Sequence, residues 1–138
     1  MTGHLPSFEL DIRITYADTD QMGVVYYSNY LVFFEQGRTE LMRHLGVRYK
    51  DLEETEKVGL PVTEANCRYR APARYDDLIC VRTKIKRIGG VHMEFEYEVV
   101  NKETGQTLVE GFTRHVFVNE KWKPTPVPKS LLAKLHTD

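Results

Sequence analysis

The stretch "SNYLVFFEQGRTELMRHLG", residues 28–46, decides how the rest of the chain must be arranged. Tyr30, Phe33, Phe34, Gly37, Leu41 and Leu45 recur at spacings of three and four, which marks one apolar face of an α-helix. Ser28 or Asn29 stands where an N-cap belongs, and Gly46 where a C-cap glycine belongs. Arg43 and His44 suit the negative end of the helix dipole. The spacing therefore predicts a helix over 29–45. Gly37 inside it costs about 1 kcal/mol against alanine, and close approach of the helix to a sheet is the compensation.

Around this helix the chain reads as strands. Phe8, Leu10, Ile12, Ile14 and Tyr16 alternate with Glu9, Asp11, Arg13 and Thr15, which predicts a strand over 8–16 with one wet face. Further strands are expected over 62–70, 78–88, 91–100 and 106–119, with a polar connection at 51–57, helical or irregular, and a short final helix in "KSLLAKL". In the fourth strand Val91, Met93, Phe95, Tyr97 and Val99 share one face, and His92, Glu94, Glu96 and Glu98 the other. One strand, one long helix and four closely linked strands predict an α+β domain over 1–138, an antiparallel sheet wrapped around the helix. The sheet's other face and its free edges need cover, which oligomerisation supplies.

A net charge of -1 argues against a dedicated nucleic-acid binder. The N-terminus carries no signal-peptide pattern, and no run approaches the roughly 18 apolar residues of a membrane span. Cys67 and Cys80 lack metal-ligand spacing and read as small buried hydrophobes of a cytoplasmic chain. No G-x-S-x-G elbow and no phosphate-cradling glycine loop is present. His4, His44, His92, His115 and His136 are scattered, so no metal site and no bound cofactor is proposed. His92 and His115, on strands, read as surface or half-buried polar residues.

Asp18 and Asp20 remain, in "ADTDQMG" between the first strand and the helix. They form an Asx-type turn, or one of them is a base or nucleophile held beside backbone donors that favour its charged form. Here "RITYADTDQMGVVYYSNYLVFFEQGRTELM", "YRAPARYDDLI" and "GFTRHVFVN" together resemble the 4-hydroxybenzoyl-CoA thioesterase family, including its Tol–Pal-associated acyl-CoA thioesterases. The resemblance implies a hotdog fold, acyl-CoA thioester hydrolysis without metal or cofactor, and a homodimer or homotetramer with the site between subunits. It makes Asp20 the catalytic carboxylate and Asp18 the residue shaping the turn. It places an oxyanion-binding backbone amide in "VGLPV", with Gly59 the best match, where an ordinary turn glycine is the alternative.

Tyr27 stands where the Tol–Pal-associated members carry histidine and the 4-hydroxybenzoyl enzymes tyrosine; it orients Asp20 or lines the pocket. Val25 and Tyr26 beside it are expected at the substrate. Lys84, Lys86 and Arg87 either contact the CoA phosphates or form a solvated edge, and Arg114 is a weaker candidate. Glu35 is expected to pair with Arg38 or Thr39 on the helix rather than to act in catalysis. A hotdog protein that binds acyl-CoA without hydrolysing it is the first competing reading, and a hotdog dehydratase acting on hydroxyacyl thioesters, which would rely on a histidine paired with a carboxylate, is the second.

Overall fold

The apolar stripe of the long helix finds its partner in a single sheet. The computed structural model describes residues 5–135, so His4 and His136 lie outside the described residues. Helix α1 (Asn29–His44) buries Tyr30, Phe33, Phe34, Gly37, Leu41 and Met42. Leu45, the end of the expected stripe, is half-buried at the C-cap. The sheet comprises β1 (Ser7–Arg13), β2 (Val62–Tyr69), β3 (Leu78–Gly89), β4 (His92–Asn101) and β5 (Thr107–Val116). All pairings are antiparallel, in the order β1-β3-β4-β5-β2. This is the α+β hotdog architecture, with the helix held along the inner face of the sheet.

Two glycines set the depth of that packing. A Cβ on Gly37 would stand 2.4 Å from Thr83 Oγ1 and 3.0 Å from Val81 Cγ1; one on Gly111 would stand 2.1 Å from the Asn66 carbonyl and 2.8 Å from the Phe34 ring. Phe34 is fully buried and stacks on Tyr97, ring centroids 4.1 Å apart at 3°. Burying one such side chain stabilises the fold by about 1.5–3 kcal/mol. The helix stops where Gly46 takes φ +84°. Gly46 N–H then donates to Arg43 O and Val47 N–H to Met42 O, both at 2.9 Å, the paired bonds of a Schellman stop. Two short helices follow the core elements: α2 (Tyr49–Glu54) after α1, and α3 (Lys129–Leu135) at the end.

Besides β5, which stops at Val116 rather than running to Asn119, two elements depart from expectation. The first strand ends at Arg13 rather than running to Tyr16, because Asp18 Oδ2 accepts the Thr15 N–H (2.8 Å) and hydroxyl (3.0 Å) and closes a 3-10 turn. Tyr16, expected inside, swings out and stacks on Tyr75 at 3.8 Å. The second departure is topological. β2 pairs with β5 at the far edge and not with β3, its successor in the chain. Residues 70–77 cross from one edge back to β3 at the same end of the sheet. Eight residues extend to about 26 Å, enough to pass the roughly 14 Å of three strand spacings.

The outer face of the sheet is charged. Arg82 bridges Glu9 and Glu98, Lys84 and Lys86 share Glu96, Lys86 and Arg114 flank Glu94, and Arg114 reaches Glu64. Lys102 pairs with Asp11, and Arg70 with Glu110. Exposed pairs of this kind contribute about 0–1 kcal/mol each, but they make this face compatible with water. Among the described residues, no helix is long and apolar enough to cross a membrane.

Candidate active site

The loop between β1 and α1 is held by its own polar groups. Asp20 Oδ1 accepts the amides of Met22 (2.9 Å) and Val24 (3.4 Å). Asp20 N–H donates to Val24 O, and Gly23 N–H to Asp20 O. The Asx-type turn is therefore real, and it spends one oxygen: among the described residues Oδ2 of this half-buried carboxylate has no hydrogen-bond partner. Asp18 does the shaping. Its side chain closes the 3-10 turn, and its carbonyl accepts Tyr26 N–H and Asn29 Nδ2, both at 2.9 Å. The loop is thereby tied to the first residue of α1.

Ser28 occupies the N-cap of α1 without a side-chain capping bond. The amide of Tyr27 donates to no acceptor among the described residues. An uncapped helix start beside a carboxylate with a free oxygen combines an unused donor with the positive end of the dipole.

Aromatic rings surround this point. Tyr26 and Tyr27 are exposed, at 4.7 Å from one another, and Tyr27 meets Tyr69 edge-on at 6.5 Å. Tyr69 donates its hydroxyl to Tyr27 O at 3.0 Å, fastening the loop to the end of β2. The Tyr26 hydroxyl holds its proton more tightly than a free phenol, first through hydrogen bonding and repulsion with Tyr27, then through burial and the Asp20 charge. Burial drives the Tyr69 phenol up to about 12. Val25 lies beneath the loop, 5% exposed, with its N–H on Ala73 O. Tyr30, Phe33 and Phe34 belong to the core.

Asp20, Val25, Tyr26 and Tyr27 thus gather at the Tyr69 end of β2. Gly59 does not join them. It bridges Val118, beyond the opposite end of β2, and β2's eight residues span roughly 25 Å at about 3.3 Å each. Gly59 N–H donates to Val118 O at 2.9 Å and its carbonyl accepts Val118 N–H at 3.0 Å. Among the described residues the Leu60 amide, unlike that of Gly59, donates to no acceptor. Lys86 and Arg87 lie towards the Gly59 end, where a bulge in β3 turns both outward. Lys84 and Lys86 are engaged with glutamates, Arg114 has three partners including the Phe112 ring at 4.6 Å, and Arg87 has no ion pair among the described residues.

Glu35 is exposed and makes no ion pair among the described residues. Arg38, its expected partner, turns into the core and donates to Tyr97 OH at 3.4 Å. His115, expected at or near the surface, is 1% exposed. Its placement was readable from parity: Val109, Gly111, Thr113, His115 and Phe117 alternate with Glu110, Phe112 and Arg114. Among the described residues no group of three or more His, Cys, Asp or Glu side chains is placed to hold a metal ion.

A sheet wrapped on one helix, with a carboxylate loop at the helix start, defines the hotdog class of thioester-processing domains. The family model described as the thioesterase-like superfamily matches residues 14–135, and the chain belongs to that superfamily. The acyl-CoA thioester hydrolase YbgC of Escherichia coli is 37% identical over 128 residues, 92% of this chain and 94% of that protein. A putative acyl-CoA thioesterase of Bacillus subtilis, YneP, is 36% identical over 128 residues, 92% of this chain and 90% of that protein. Among solved structures, a probable thioesterase from Bartonella henselae superposes with a TM-score of 0.83 at 31% identity, covering 88% of this chain and 99% of the other.

Proposed function

We propose that the chain hydrolyses acyl-CoA thioesters to the free acid and CoA, with Asp20 as its catalytic carboxylate. The supporting observation is the division of labour within that side chain: Oδ1 is clamped by two loop amides while Oδ2 is free. A thioester carbonyl is electrophilic and a thiolate leaves readily, so a single positioned carboxylate suffices, attacking the carbonyl carbon or taking a proton from the attacking water. Either route consumes one water and releases one thiol. Negative charge develops on the carbonyl oxygen, and the open Tyr27 amide at the start of α1 is its donor.

The second half of the site comes from a second copy. β2 is an edge strand with unpaired backbone along one side, and Val62 and Tyr69 at its two ends are exposed. Antiparallel pairing of β2 with its own copy lays the Tyr69 end of one chain beside the Val62 end of the other. The Asp20 loop then faces the Gly59–Leu60 segment of its partner, where the open Leu60 amide is a second donor. Arg87, from that same end, contacts the CoA phosphates, whereas Lys84 and Lys86 stay largely engaged with Glu94 and Glu96.

The test is a panel of acyl-CoAs followed by a thiol-trapping dye, with Asp20→Asn as the control. Turnover of at least one thioester, and its loss by about 10²-fold or more in a folded variant, is expected. Full activity of Asp20→Asn alongside an inactive Glu35→Gln would transfer the role to the helix carboxylate. A stable monomer in sedimentation that still turns over substrate would sink the shared site.

A further inference from the structure

The core contains a row of polar side chains that the reaction above does not use. Arg38 Nη1 donates to Tyr97 OH (3.4 Å), Tyr97 OH lies 2.6 Å from Thr113 Oγ1, Thr113 Oγ1 lies 2.8 Å from His115 Nε2, and His115 Nδ1 lies 3.2 Å from Leu60 O. Tyr97, Thr113 and His115 are each at most 3% exposed. Leaving any one unbonded there would cost about 1–3 kcal/mol. The row crosses from α1 through β4 and β5 to the loop before β2.

Its ends determine the direction of every hydrogen. A guanidinium only donates and a carbonyl only accepts. Tyr97 OH accepts from Arg38 and so gives its hydrogen to Thr113. Thr113 gives its own to His115 Nε2, which leaves Nδ1 as the ring's N–H, donated to Leu60 O. The ring is neutral at pH 7: burial first, then the Arg38 charge, push it down to about 4 against the opposing Leu60 bond. Phe95 packs edge-on against it at 5.3 Å.

The acceptor at the end of this row is adjacent to the open donor. The Gly59 carbonyl is held by Val118 N–H. No peptide in the described chain is cis, so the Leu60 N–H, on the opposite edge of the same peptide plane, points away from Val118. The next carbonyl, that of Leu60, is held by His115, and Pro61 contributes no N–H and restricts Leu60 to extended backbone. Both planes flanking the Leu60 Cα are therefore fixed, one by β5's continuation and one by the buried ring.

We propose that His115 is a positioning residue, which aims the Leu60 N–H at the developing oxyanion through its bond to the Leu60 carbonyl. The inference rests on the reading that this segment completes a second copy's site, and the experiment separates the two. Asparagine places its side-chain nitrogen where Nδ1 stands, and glutamine reaches only the place of Nε2. His115→Asn is expected to retain kcat within about 2-fold. His115→Gln is expected to lose about 10-fold in kcat at a KM changed less than about 2-fold, although both lose similar thermal stability. Equal kcat in the two variants, or kcat falling in step with Tm, overturns the proposal.

A measurement on the unaltered protein covers the case in which neither variant folds. Nitrogen-15 NMR of His115 should show a protonated Nδ1 and a bare Nε2; the reverse tautomer overturns the row. An active Asp20→Asn would mean that the catalytic reading itself has failed, whereas an inactive Asp20→Asn with a fully active His115→Gln removes only the role of His115.

Discussion

The two ends of β2 are built on opposite principles. At the Tyr69 end the Asp20 loop stiffens itself with short-range bonds, from Asp18 to Thr15 and from Asp20 to Met22 and Val24, and leaves its aromatic rings exposed. At the Val62 end the Gly59–Leu60 segment makes no such local turn. It is gripped from below, by Val118 on one side and by buried His115 on the other. The first arrangement tolerates an open, wet setting because the bonds that shape the carboxylates are local, with Tyr69 and Ala73 only anchoring the loop's far side. The second depends on the integrity of the core, so it transmits whatever disturbs the core.

The largest break in the comparison is Asp20→Asn, expected to cost about 10²-fold or more in kcat with stability changed little, since an amide oxygen still accepts the Met22 and Val24 amides. Acid acts at the other end. An unfolded histidine takes up a proton near its usual value of about 6.5, whereas folded His115 resists protonation down to about 4. Its contribution is therefore complete above about pH 6.5, is lost as pH falls from there to about 4, and changes no further below that. The full loss is about 3 kcal/mol, most of it reached by pH 4.5. Urea midpoints at pH 7.5 and 4.5 check it, and the difference between the parent and His115→Gln isolates this group from the carboxylates.

Asp18→Ala removes the closure of the 3-10 turn. About 1 kcal/mol of stability and a several-fold fall in kcat are expected, in contrast to Asp20→Asn, where kcat alone moves. Arg87→Ala is expected to raise KM by about 3-fold, because its charge is not committed to a carboxylate. Lys84→Ala, whose lysine already serves Glu96, should change KM by less than about 2-fold. Steady-state kinetics at two salt concentrations ranks these last two, and a larger effect at Lys84 than at Arg87 would reverse the assignment of the phosphate contact.

The sheet and helix were legible because both depend on simple periods. Alternation placed β4, the turns at Gly89–Gly90 and at Gly105 bounded β3 and the start of β5, and the three-four stripe placed α1 to within a residue at either end. The position of β2 was not legible, because sequence neighbours suggest sheet neighbours and only the length of residues 70–77 hints at a crossing. Tyr16 misled for a local reason: its alternation is correct in phase, but the Thr15–Asp18 bonds end the strand first. At the candidate site the aspartate pair was visible, and the separate duties of Asp18 and Asp20 followed from the resemblance. The state of the Gly59 amide was invisible, since it depends on Val118, 59 positions further on. His115 was hidden by its chemistry. A histidine between an arginine and a valine looks wet until the parity of its strand is followed to both ends.

Gly37 and Gly111 leave the fold no clearance where α1 meets the sheet. Even a single methyl there would act as a shim, lifting one part of a rigid rod whose leading end is roped to the Asp18 turn by Asn29. The tilt would be felt at the carboxylate loop, a full helix-length away from neither glycine but touching neither of them. Substitution at these two sites should therefore register as lost stability together with altered turnover, at Gly111 above all, where the added atom meets the Asn66 carbonyl of β2 as well as Phe34.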